Sequence, residues 1–115
     1  MAAARPAIQV DGEIFSNSAH YVYVPAFDDW TGEAIDDATV TVQLTTMPTD
    51  PDDDGTVVIS PVECDYSTDG LYVGIFPATT LTIGQNYVEH IQVMQGATLI
   101  DERRIGKKAV PRGRG

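Results

Sequence analysis

No stretch of eleven or more residues in this chain keeps an apolar face at helical spacing, whereas almost every segment alternates apolar and polar with period two. That pattern places side chains on opposite faces of an extended strand and leaves helix at most a short turn. The chain has 115 residues, 43% of them apolar, which suffices for one core and leaves no room for two. An open sheet carrying helices is excluded by the same pattern, and the expectation is an all-β domain.

The alternation is cleanest over Ala38 to Leu44, where Val40, Val42 and Leu44 alternate strictly with Thr39, Thr41 and Gln43. One face of this strand is core and the other wet. His20 to Phe27 puts Tyr21 and Tyr23 on one face, Val22 and Val24 on the other, with Pro25 marking an end, an edge or a bulge. Ala7 to Val10 is the first strand, with Glu13 to Ser16 as its continuation or hairpin partner. Thr56 to Ser60 and Val62 to Tyr66 supply one or two strands split by Pro61. Ser67 to Gly70 is a tight turn into Leu71 to Phe76, and Tyr87 to Met94 and Thr98 to Ile105 close the series. About seven short strands at this spacing read as an antiparallel sandwich.

Charge is strongly segregated. Residues 1 to 102 hold all 17 carboxylates against one base, Arg5. Arg103, Arg104, Lys107, Lys108, Arg112 and Arg114 follow with no acid among them. Such a dipolar chain invites head-to-tail contact between copies, and these six bases are the expected partner-binding residues. Nucleic acid is disfavoured, because the acidic body repels phosphate and the basic segment has no aromatic residue for stacking. A solvated terminus is the plain alternative. The expected division is an N-terminal arm over 1–7, a body over 8–105, and a basic tail over 106–115.

The side-chain chemistry is sparse. A lone cysteine, Cys64, permits no internal disulfide, and beside Glu63 and Asp65 it reads as a small buried group without thiolate activation. Asp50 to Gly55 matches the opening of a calcium loop, but its closing position is Pro61 and Glu63 comes two residues late, so a solvated acidic loop is expected. His20 opens a strand and His90 shares a face with Val88, Gln92 and Met94, so both read as solvated or rim histidines. No nucleophile elbow or phosphate-cradling glycine loop occurs, and neither an enzyme nor a cofactor is expected. Tyr21, Tyr23, Phe27 and Trp30 fall within ten residues. Core packing accounts for at least half of them, and Trp30 is either a lid over one end of the core or a contact residue. No apolar run approaches a membrane span, and Met1 to Pro6 lacks the charged start and apolar stretch of a secretory signal, so no membrane partner is expected.

Three segments carry a resemblance: the turn and alternating valines of Asp29 to Val42, the Gly-x-Tyr-x-Gly-x-Phe-Pro strand of Gly70 to Pro77, and Leu81-Thr-Ile-Gly84 leading to Tyr87. Together these resemble the immunoglobulin-like β-sandwiches of bacterial surface proteins and of tailed-phage virion proteins. Leu81, Gly84 and Tyr87 are similar to a tyrosine corner, in which a Tyr early in a late strand hydrogen-bonds to backbone upstream. The chain departs from antibody domains in lacking their cysteine pair and in placing Trp30 in a turn. The resemblance implies a single antiparallel immunoglobulin-like β-sandwich with extended N- and C-terminal arms. It further implies a non-catalytic decoration or cement protein, made in the host cytoplasm and carried on the virion. Its partners would be the major capsid or another virion protein and copies of itself. The alternative role is a neck, tail or baseplate component, or an adhesion module for a host-surface glycan, which would draw on exposed aromatics near Trp30.

Overall fold

The computed structural model describes residues 7–28, 30–50 and 52–111. Eight strands follow in chain order: β1 Val10–Phe15, β2 His20–Pro25, β3 Thr39–Thr46, β4 Val57–Glu63, β5 Asp65–Thr68, β6 Leu71–Phe76, β7 Asn86–Gln95 and β8 Thr98–Val110. Among the described residues no helix forms, as the period-two pattern requires. The strands make two sheets, one ordered β1-β8-β7-β3-β4 and one ordered β2-β6-β5. The core lies between them. Val40, Val42 and Leu44 of β3 are fully buried, and they cluster with Val22 and Val24 of β2, Tyr72 and Phe76 of β6, and Ile91 and Val93 of β7.

The pairing corrects two expectations and decides between two alternatives at a third point. The larger sheet is not wholly antiparallel, because β1 lies parallel to β8. Alternation along a strand reports which face is buried and carries no information about the direction of its neighbour. Glu13 to Ser16 continues the first strand. Gly12, at φ 106°, absorbs the register shift between Val10 and Glu13, a backbone conformation that a side chain would disfavour. Finally, Pro61 does not split a strand. It sits where β4 shifts register against β3 on an exposed edge, where a missing N–H costs little. The chain leaves the first sheet for the second at Cys64, whose N–H donates to Val40 O at 2.7 Å.

The boundary expected at 105/106 also moves. β8 runs on to Val110, held on one side by β7 and on the other by β1. Gly84 N donates to Ala109 O and Ala109 N to Gln85 O, so the 81–87 corner grips the end of this strand. The basic residues in this stretch conceal a strand from composition. Their side chains lie along the sheet surface, while Ala109 is fully buried and Gly106 is closed against Gln9 O. The expected N-terminal arm over 1–7 lies outside the described residues, apart from Ala7.

Candidate functional site

β2 divides its side chains by face. Val22 and Val24 take the core, leaving Tyr21 and Tyr23 outside at 56% and 61% exposure, with their rings stacked 6.4 Å apart. Tyr21 stands opposite Ile75 and Tyr23 opposite Val73 in the β2-β6 register. The outer face of the three-stranded sheet is thus an uncovered strip of aromatic and branched side chains. Phe27, 48% exposed, and Trp30, 95% exposed, lie just past its end. The expectation that core packing takes at least half of these four aromatics is therefore wrong: the valines of β2 already fill the inner face.

The loop that carries Trp30 is tied down by its own backbone. Asp28 Oδ1 accepts from Trp30 N at 2.8 Å and from Thr31 N at 3.1 Å, and Gly32 N donates to Asp28 O. Phe27 bridges to Ala34 as an isolated antiparallel pair. Beside this loop a groove of about 670 Å³ opens between the end of β2 and the start of β8. Ala26, Ile35 and Val93 form its apolar floor, Phe27, Trp30 and Ile100 its walls. Asp28, Gln95, Asp101 and Arg103 supply the polar rim. Arg103 Nε donates to Asp101 Oδ2 at 2.7 Å and Nη2 to Pro25 O at 2.8 Å, which pins the guanidinium across the open side of the molecule.

The fold engages three of the four described bases among the six expected partner-binding residues. Arg103 is engaged as above, Arg104 Nη1 donates to Asp53 O, and Lys107 Nζ donates to Asp11 O. Lys108 is exposed on β8. Arg112 and Arg114 lie outside the described residues. A basic tail is thus replaced, up to Val110, by a strand in which Arg103, Arg104 and Lys107 bond to carbonyls and a carboxylate of the body. The remaining expected site residues gather as a corner. Tyr87, the second residue of β7 and 4% exposed, accepts a hydrogen bond at its Oη from Thr82 N at 2.9 Å. Leu81 N donates to Ser16 Oγ at 2.8 Å, and Gly84 binds the end of β8.

Both histidines are drawn into networks that strand alternation did not indicate. His90 is 5% exposed, not at a rim. Its Nε2 lies 3.0 Å from Glu102 Oε2 and its Nδ1 3.4 Å from the Gln43 amide, one consistent set for the neutral Nε2–H tautomer. Part of the outer face of the larger sheet, at Thr45, Val88 and His90, is covered where the stretch after β3 returns over it. Thr46 clasps Thr56 at the neck of the loop, Met47 lies against Gly106, and Arg104, opposite His90 in register, reaches Asp53. Within that loop Asp50 closes its own turn, accepting from Asp52 N at Oδ1 and from Asp53 N at its carbonyl, and the carboxylates at 52–54 are exposed. Pro51 lies outside the described residues. Among the described residues no three His, Cys, Asp or Glu side chains converge in a way that could hold a metal ion.

Glu89 was missed altogether. It faces the core in the row Tyr87, Glu89, Ile91, Val93, at 4% exposure, and its Oε1 lies 2.8 Å from His20 Nε2 on the opposite sheet. The signal was present as one carboxylate interrupting an apolar period-two row. Cys64 is buried between the sheets, and desolvation, with Asp65 and Glu63 adding to it, pushes its thiol up to about 11. The thiol is therefore protonated at neutral pH and a poor nucleophile. Searches against protein-family models, curated proteins and solved structures find no match to this chain.

Proposed function

We propose that this chain is a non-catalytic structural protein of a tailed-phage particle, an immunoglobulin-like decoration or cement protein that docks in many copies on the assembled shell. The observation that carries this reading is the uncovered outer face of the β2-β6-β5 sheet, where Tyr21, Tyr23 and Ile75 are each about half exposed. Contiguous exposed apolar surface of this kind marks an interaction site. Tyr is also favoured there, because a rigid ring buries much area at small entropic cost. Docking in a lattice multiplies the effect, since weak contacts of one copy add to those of copies already held in place.

The immunoglobulin-like part of the reading is supported by strand order. β8-β7-β3-β4 follows the order G-F-C-C′ of variable-type domains, and β2-β6-β5 the order B-E-D. Tyr87 lies near the start of the strand equivalent to F, bonded to backbone five residues upstream. In this reading the outer tyrosine face and the segment beyond Val110 meet the shell. Arg103, Arg104 and Lys107 hold the body together instead of reaching outwards.

Particle binding with copy counting is the direct test. Wild-type chain is expected to saturate shells at hundreds of copies, and Tyr21→Ser/Tyr23→Ser to lose at least tenfold in occupancy with the fold unchanged by circular dichroism. Truncation must begin at Pro111, since a deletion from Gly106 removes the β8 segment that pairs with β1. Undiminished occupancy in both the double variant and the truncation, or six to twelve copies per particle, would overturn the proposal.

A further inference from the structure

We propose that the groove between the end of β2 and the start of β8 is a binding site for a neutral oligosaccharide, with Trp30 as its stacking platform. This inference is independent of shell docking and concerns a different surface. Three observations carry it. First, Trp30 is 95% exposed although its backbone is fixed by Asp28 Oδ1, so the ring is presented and does not serve the core. An indole carried on that fixed backbone beside a groove of about 670 Å³, within the range of small-molecule sites, can stack on a flat apolar ligand face.

Second, the polar groups around that ring are of both kinds. Asp28 and Asp101 offer carboxylate acceptors; Arg103 keeps N–H donors beyond those used on Asp101 and Pro25 O, and Gln95 keeps its amide oxygen and a second N–H beside the one donated to Asp37 Oδ1. Sugar hydroxyls donate and accept at once, and a pyranose ring turns an apolar C–H face to an aromatic while its hydroxyls reach sideways. An apolar floor of Ala26, Ile35 and Val93 under a rim of mixed donors and acceptors matches that amphipathic shape.

Third, the other ligand classes fit poorly. Arg103 is already paired with Asp101, so among the described residues the lining holds no further cation to balance Asp28, and an anionic sugar or a phosphate meets a net negative rim. An extended peptide would need a continuous bare strand edge. Here the bare edge is that of β2, and its last carbonyl, Pro25 O, is already taken by Arg103 Nη2, which blocks the ladder where it enters the groove.

Trp30 is the only tryptophan in the chain, so its fluorescence reports this site alone. Titration of the full chain with maltotriose, cellotriose and triacetylchitotriose, alongside a neutral glycan array, is expected to give a saturable shift at millimolar sugar with at least one of them. By calorimetry, Trp30→Ala should weaken that sugar at least tenfold, Trp30→Phe should retain part of the binding, and Asp101→Asn should lower affinity several-fold, all with unchanged circular dichroism. The proposal is overturned if no neutral glycan binds, if Trp30→Ala binds as well as wild type, or if only 3′-sialyllactose or a proline-rich decapeptide shifts the fluorescence.

Discussion

Glu89 and His20 join the two sheets through a single 2.8 Å contact, the carboxylate rising from the inner face of β7 and the imidazole standing at the head of β2, stacked on Phe76. A carboxylate buried to this degree is tolerated because it has a partner; removing the partner leaves its desolvation uncompensated. His20→Ala is therefore expected to destabilise the fold by about 2–3 kcal/mol, seen as a lower denaturant midpoint with little change in slope. Replacing both residues, as in His20→Phe/Glu89→Leu, should recover most of that loss. A His20→Ala midpoint equal to wild type would show that the contact carries no weight.

Gly74 faces Cys64 inside the core. A Cβ at Gly74 would lie 2.7 Å from Cys64 Sγ and 3.1 Å from Val42 Cγ2, closer than packed atoms accept. Gly74→Ala should cost about 1–3 kcal/mol by overpacking. Because the sulfur is the nearest atom, adding Cys64→Ala should relieve part of the clash, giving a favourable coupling in the double-mutant cycle. Additive effects would place the clash elsewhere.

The Cys64 thiol gives a pH signature. Its folded-state value of about 11 stands above the ordinary 9.0, so the folded state holds the proton more tightly than the unfolded chain. Its contribution to stability is full below pH 9 and is lost as pH rises through about 11. The wild-type advantage over Cys64→Ala should shrink across that window. At pH 8 a disulfide reagent should modify native protein far more slowly than denatured protein, and equal rates would contradict the burial.

Thr45 is 1% exposed on the outer face of β3, under the returning loop, and its Oγ1 finds no hydrogen-bond partner. Thr45→Val keeps the shape and removes the unsatisfied hydroxyl, so a gain of about 1 kcal/mol is expected in thermal or urea unfolding. A loss instead would mean that the hydroxyl is used.

Much of the architecture could be read from residues in order. Val40, Val42 and Leu44 announced the core face of β3, and Ser67 to Gly70 announced a turn that the fold narrows to Asp69 and Gly70, both at positive φ between β5 and β6. The segment from Leu81 to Tyr87 signalled a corner, and Tyr87 does bond upstream. Other features were hidden. At least half of Tyr21, Tyr23, Phe27 and Trp30 are expected in the core because aromatic side chains favour it, and only the hold of Val22 and Val24 on the inner face settles the tyrosines outside. His90 looked like a rim residue because the stretch after β3 that returns over part of its face is close to it in space and more than thirty residues away in sequence.

Local chemistry thus determined that the chain is all strand, where most of its turns fall, and which row of most strands is apolar, because period and turn preference act between near neighbours. The partners of those rows came from tertiary structure. It set β1 parallel to β8, folded Arg103, Arg104 and Lys107 onto the body, sank Glu89 opposite His20, and left Trp30 beside an open groove. Each of these depends on which surfaces meet once the chain has closed on itself, and a one-dimensional pattern does not contain that distance.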